Sequence, residues 1–410
     1  MRSLYLMAIA TLLASGAHAE PLTLAQALAR ARASAPGLAA KRLEIAAERD
    51  AAIPAGALPD PKGSFGVTDF PISGPLAGRP NLDNFSMLSF GFSQDVPSLA
   101  KRRAREASAR ANVGVAVADE TVESRATDVA TGQAWVALYY AERKLTALQA
   151  LETTLTEEQQ TAPARLASGA ERPALSLAPR QLLAALADRE DVLRAQVQTA
   201  RAELERWVGP DSALEPSGGP PELDLDMAAL RSRLEDLPAS RLAAAKVRQG
   251  EAVAEEARAD THPDWGYHLQ YDHRDPRFGD YISGGVSFSL PLFAKTRQDP
   301  VINARVEQVS AAVAEQADTR RALEAAFEGA MAEHTLHHAQ LVRAREVFIP
   351  LAKQRVQLEL ASYQAGTASL ADVLTARRDE IEAELAALDR EAETAAHVVA
   401  LTLTYGSAPQ

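Results

Sequence analysis

The segment EHTLHHAQL (333–341) holds the one cluster in this chain whose spacing resembles a metal site. His334, His337 and His338 stand at i, i+3 and i+4, which places three imidazoles on one face of a helix. A tight site needs three or four converging ligands with supporting hydrogen bonds, so the plainer reading is a set of solvated or helix-packing histidines. A soft-metal relay has no basis either: beyond the first nineteen residues only Met87, Met227 and Met331 remain, widely scattered, and there is no cysteine. The missing cysteine also excludes disulfides, a thiolate nucleophile and an amino-terminal lipidated cysteine. The chain contains no phosphate-binding loop, no Gly-x-Ser-x-Gly elbow and no His-Glu-x-x-His. We therefore expect no enzyme activity, no cofactor and no resident metal.

The elements that would carry such residues are long helices. Ala, Leu, Arg and Glu dominate the 410 residues and aromatics make up only 5%, a balance typical of coiled coils. Residues 1–19 read as a secretory signal: Arg2, an apolar run, then Ala17-His18-Ala19 as a cleavage site before Glu20. Loss of Arg2 takes the formal charge from -12 to -13, and so acidic a protein is not expected to bind nucleic acid. No later stretch has the ~20 apolar residues that a transmembrane helix needs.

The rest of the chain reads as one plan used twice. Each half has a helical start, two short alternating segments, a very long helical pattern, a glycine-marked break and a return helix. FSQDVPSLAKRRAREASARANV (92–113) lines up with FSLPLFAKTRQDPVINARVEQV (288–309), and Gly169 lines up with Gly366. The organisation is then a signal (1–19), a first repeat (20–208), a Gly- and Pro-rich linker (209–223), a second repeat (224–406) and a tail (407–410). The long patterns run from about Ser98 to Ala162 and from Val301 to Ser362, and Pro350 predicts a kink in the second. In the first, Leu138, Ala141, Leu145, Leu148, Leu151 and Leu155 form an apolar seam at spacings of three and four. Sixty helical residues span roughly 90 Å, so such helices must pack along one another.

Four segments alternate with period two: 63–70, 85–94, 265–272 and 281–290. In the third, Trp265, Tyr267, Leu269 and Tyr271 alternate with Gly266, His268, Gln270 and Asp272; in the fourth, Ile282, Val286, Phe288 and Leu290 oppose Ser283, Gly285, Ser287 and Ser289. Taken alone, these strands fit either a small sheet on a hydrophobic core or part of a membrane barrel, which needs ~9–11 residues per crossing. Two hairpins set between very long helices have nothing else to cover their edges, and open edges are not tolerated in lipid. The membrane reading therefore requires several copies to pool strands, and three copies would supply twelve.

With these features in place, the sequence resembles the TolC-like outer-membrane efflux proteins, over about residues 22–406. The resemblance rests on the repeated hairpin-and-long-helix plan, on GVSFSLPLF (285–293) and on YQAGTASLADVLTARRDEIEAEL (363–385). LPDPKGSFGV (58–67), FSQDVPSLAKRRARE (92–106) and LFAKTRQDPVINAR (292–305) resemble the branch that serves heavy-metal efflux of the cobalt–zinc–cadmium and copper–silver type. The resemblance implies a mainly helical homotrimer: a twelve-stranded barrel in outer-membrane lipid, four strands per chain, continued by a long periplasmic helical tunnel. It also implies a periplasmic adaptor and an inner-membrane pump of the resistance-nodulation-division type as partners, and passive conduction of heavy-metal cations. A duct for drugs or secreted peptides, and a periplasmic coiled-coil scaffold without a barrel, are the alternatives. Unlike many members, this chain would be inserted without a lipid anchor.

In resembling channels the two helix breaks form the periplasmic tip, where the adaptor docks and the pore closes. Here they map to Gly169 and to Gly366 with Thr367, where glycine allows positive φ and Thr367 or Ser369 can cap the next helix. Asp372 occupies the position that faces the pore, and three copies would make a carboxylate ring that attracts cations. Thr375 stands where some members carry a second acidic residue, which implies a weaker acidic gate; capping of its own helix is the simpler role for Asp372.

Overall fold

The structure, a computed structural model, describes residues 22–160, 177–210, 214–220 and 225–406. The chain divides into two compact units. One contains residues up to Pro36, Ser124–Arg233 and Ala326–Gln410; the other contains Gly37–Glu123 and Leu234–Ala325.

Elements recur in the same order in both halves of the chain. The first half runs α1 (Leu24–Ser34), α2 (Pro36–Ala52), β1 (Lys62–Thr68), β2 (Met87–Val96), α3 (Leu99–Gln160) and α4 (Ala178–Val208). The second runs α5 (Met227–Arg231), α6 (Pro238–Ala259), β3 (Trp265–His273), β4 (Tyr281–Phe288), α7 (Ala294–Arg343), a π-helical turn (Ala344–Phe348), α8 (Ile349–Gln364) and α9 (Leu370–Tyr405). At 1.5 Å per residue the 62 residues of α3 extend about 93 Å. Among the described residues no helix is long and apolar enough to cross a membrane.

The second unit is organised by its sheet. Its four strands pair antiparallel in the order β1-β2-β3-β4, so the central β2–β3 ladder joins a strand from each half of the sequence. The register sets apolar residues side by side: Phe65 opposite Phe90, Phe90 opposite Tyr271, and Tyr271 opposite Ile282 form one row across all four strands. Where the sheet meets α3, Asp264 accepts the Ser98 amide (2.9 Å) and the buried Lys101 ammonium (2.7 Å). Ser98 in turn accepts the Lys101 amide through Oγ and the Arg102 amide through its carbonyl, which caps α3. Burial works against the charged form of Asp264, but the Lys101 and Ser98 hydrogen bonds outweigh it and hold its carboxyl below the usual range.

The first unit has a true core. Of the anticipated seam, Leu138, Ala141 and Leu148 are buried, and Leu145 and Leu151 are partly so. The side chain of Leu155 lies outside the described residues. The core is wider than that seam, because Trp135 and Tyr140 are also fully enclosed, with Leu204, Val399 and Leu403 among their cluster. α3 and α9 approach closely at Gly132, where a Cβ would lie 2.6 Å from Val399 Cγ1.

Two findings refine the sequence expectations. The described part of the Gly/Pro-rich 209–223 segment is bonded into the first unit: Leu22 and Pro216 form a parallel bridge, Leu22 donates to Glu215 O (2.9 Å), and Ser217 donates to Leu22 O (3.1 Å). Trp135 Nε1 donates to the same Leu22 carbonyl (2.8 Å), and Leu214 is buried nearby in sequence. The disturbance expected at Pro350 is taken up one turn earlier, by the π-helical turn at 344–348. The wider turn accommodates the ring and the lost donor without ending the helix.

Candidate functional site: the sheet faces and the helix break

The sheet leaves one apolar face uncovered. Phe65 is 68% exposed, Ile282 75% and Val286 59%, and Phe90, Phe92, Tyr267, Leu269 and Tyr271 are exposed beside them. The aromatic rings contact one another along that face, with Phe65 and Phe90 centroids 5.0 Å apart and Phe92 and Tyr267 6.4 Å apart. Alternation sends the other residues to the opposite face, which is polar and bonded to itself. Ser89 donates to Asp272 (2.6 Å) and exchanges a hydrogen bond with Thr68 (2.8 Å), and Gln270 Nε2 donates to Asp272 (2.8 Å). Asp272, 6% exposed, is buried on that face. Among the described residues neither β1 nor β4 has a partner on its outer edge. Exposed aromatic surface on one side, polar surface on the other and two free edges are unstable in water as a single copy.

At the helix break in the second half, Gly366 has φ +78°, the left-handed conformation that glycine adopts without strain. Its amide donates to Tyr363 O (3.1 Å) and the Thr367 amide to Ser362 O (2.9 Å), a Schellman closure of α8. Thr367 Oγ1 adds a bond to the same Ser362 carbonyl (3.0 Å). Ser369, not Thr367, then caps α9. Its hydroxyl accepts the Asp372 amide (3.3 Å), while its own amide (2.9 Å) and hydroxyl (2.7 Å) donate to Asp372 Oδ2. These bonds, the hydroxyl's above all, hold the Asp372 carboxyl below the usual range. The side chain remains exposed. The Ser-x-x-Asp spacing of a capping box was readable in the sequence. The counterpart break at Gly169 lies outside the described residues.

The histidines do not converge as ligands. Among the described residues no group of three His, Asp or Glu side chains could hold a metal ion. His334 is buried with its ring 6.1 Å from that of His338, whereas His337 turns to α9 and stacks on His397 at 4.5 Å. His397 is about sixty residues away, so helical spacing within 333–341 could not reveal it. A second group missed from sequence is Glu391, which accepts from Tyr140 (3.0 Å), Arg143 (3.2 Å) and Arg345 (2.6 Å) and so ties α9 to both α3 and the π-turn. Burial first, and the adjacent carboxylate second, push the Tyr140 hydroxyl up.

Comparison with known proteins agrees with this architecture. Residues 230–407 match the family described as outer membrane efflux protein. No curated protein sequence matches the chain. Among solved structures, the outer membrane protein VceC from Vibrio cholerae is 17% identical with a TM-score of 0.75, covering 93% of this chain and 96% of that one. The CusC transmembrane channel is 14% identical, TM-score 0.75, covering 95% and 93%. The open-state MtrE outer membrane channel of Neisseria gonorrhoeae is 18% identical, TM-score 0.71, covering 95% and 89%. The chain thus has the fold of outer-membrane channels over nearly its whole length, and its residues 230–407 carry the sequence pattern of the outer membrane efflux protein family.

Proposed function

We propose that this protein is the outer-membrane channel of a tripartite efflux pump and passively conducts heavy-metal cations from periplasm to exterior. The observation that carries the reading is the sheet: four strands of 7 to 10 residues with an exposed aromatic face, a self-bonded polar face and two free edges. A bilayer satisfies the aromatic face, and only closure satisfies the edges. Three copies joined β1 to β4 give a twelve-stranded barrel with Ser89, Gln270 and Asp272 toward the lumen. The fold shared with outer-membrane channels and the family match support the same conclusion.

The long helices continue the duct through the periplasm, with the break at Gly366–Thr367, and the Gly169 segment that lines up with it in sequence, as docking points for a periplasmic adaptor and, through it, an inner-membrane pump. Asp372 contributes one carboxylate of a threefold ring at the aperture. Its bonds to Ser369 keep it ionised, which suits a cation-attracting ring. Support for metal cargo comes from the branch-like motifs at 58–67, 92–106 and 292–305 and is favoured by CusC standing among the similar structures.

Membrane fractionation and the mass of the purified protein test the core of this reading. An outer-membrane trimer that conducts ions in planar bilayers is the expected result, and a soluble monomer would overturn it. Deletion of the gene together with its pump should sensitise cells to metal ions; sensitivity to drugs alone would move the cargo to the alternative duct. In the reconstituted channel, Asp372→Ala should lower cation-over-anion selectivity, and unchanged selectivity would remove Asp372 from the aperture.

A further inference from the structure

The first unit contains a titratable seam that channel formation does not require. His337 on α7 and His397 on α9 stack with centroids 4.5 Å apart and planes 25° apart. His337 Nδ1 is buried without a hydrogen bond, and Glu393 Oε2 lies 3.3 Å from it. His397 Nδ1 lies 3.9 Å from Glu333 Oε2. About two turns further along α7 is the π-helical turn at 344–348, whose hydrogen-bond ladder is already irregular.

We propose that the His337–His397 stack is an acid-sensitive clasp, which holds α7 against α9 while both imidazoles are neutral and releases the helix at the π-turn when they take up protons. On α7 the titratable neighbours along the helix are Glu333, His334 and His338; on α9 they are Glu393 and Arg390, and Arg390 already pairs with Glu393 at 3.2 Å. On α3, Asp128 is held by Arg32, and Arg143 by Glu391. α5 brings Arg231, which pairs with Glu328. Two imidazolium rings at stacking distance repel, and among the described residues Glu333 and a Glu393 shared with Arg390 are the charges set against that repulsion. Burial first, and the neighbouring His337 second, hold His397 below the usual histidine range. A depressed histidine stabilises the fold above its unfolded value of about 6.5 and loses that contribution as pH falls through the lower folded value.

The idea does not depend on what the protein conducts, and it is tested on the purified full-length chain. Amide hydrogen exchange of segments 333–348 and 390–400 is compared at pH 7.5 and 5.5, with the intrinsic rate removed. Protection in both segments should fall by about fivefold or more at pH 5.5. The double variant His337→Phe with His397→Phe keeps stacked rings without protons and should show no such fall; the single variant His397→Gln, a milder change, should show the same loss of response. Equal protection at the two pH values in the native protein would overturn the clasp, as would an unchanged response in either variant.

Discussion

The sheet and the core around Trp135 treat apolar surface in opposite ways. In the first unit Trp135, Leu138, Leu148 and Leu204 are fully buried by neighbouring helices of the same chain. In the second, Phe65, Ile282, Val286 and Phe288 stand exposed on strands whose outer edges are also unpaired. One region is complete within a single chain. The other leaves a hydrophobic face exposed and two strand edges without a partner among the described residues.

That contrast can be broken most directly in the core. Trp135→Ala should cost about 3–5 kcal/mol, because it empties a filled volume and removes the indole's bond to the Leu22 carbonyl, measured by denaturant unfolding of the first unit's signal. Phe65→Ala should cost far less by the same measurement, and a comparable loss would mean that the sheet face packs on protein. The complementary change is Val286→Arg, which should reduce outer-membrane insertion by about 2–4 kcal/mol if that face meets the bilayer midplane. Unaltered insertion would instead place it against protein or water.

Between the sheet and α3, Asp264→Ala should destabilise by about 2 kcal/mol, since it leaves the buried Lys101 ammonium without its 2.7 Å partner. The native contribution of Asp264 is present above the ordinary carboxylate pKa and is lost as pH falls through its lower folded value. Replacement by Asn should remove that acid dependence. The smallest effects are expected at the helix break. Gly366→Ala forces a Cβ into φ +78° and should cost about 1–2 kcal/mol locally, and Ser369→Ala about 1 kcal/mol, both read as faster amide exchange in 362–373.

Much of the local structure was legible. The period-two alternation placed four strands within two residues of their ends and assigned their faces, because a strand's sidedness is a property of its own sequence. The Gly366 turn followed from glycine's access to positive φ. What escaped was non-local. His397 lies on another helix from His337, Glu391 serves three partners from two others, and residues 215–217 meet Leu22 across nearly two hundred residues of sequence. Pro350 announced a defect, but its position one turn earlier depends on how the ladder relaxes.

By itself the sequence determined which segments would be helix or strand and which of their faces would be apolar, since both follow from residue periodicity and local sterics. Only the tertiary structure decided which of those faces the chain covers for itself. Packing buried the Trp135 face, paired β2 with β3 across the two halves, and left β1, β4 and the aromatic face open. Coverage is a sum over partners distant in sequence, and no local pattern encodes which partner will arrive.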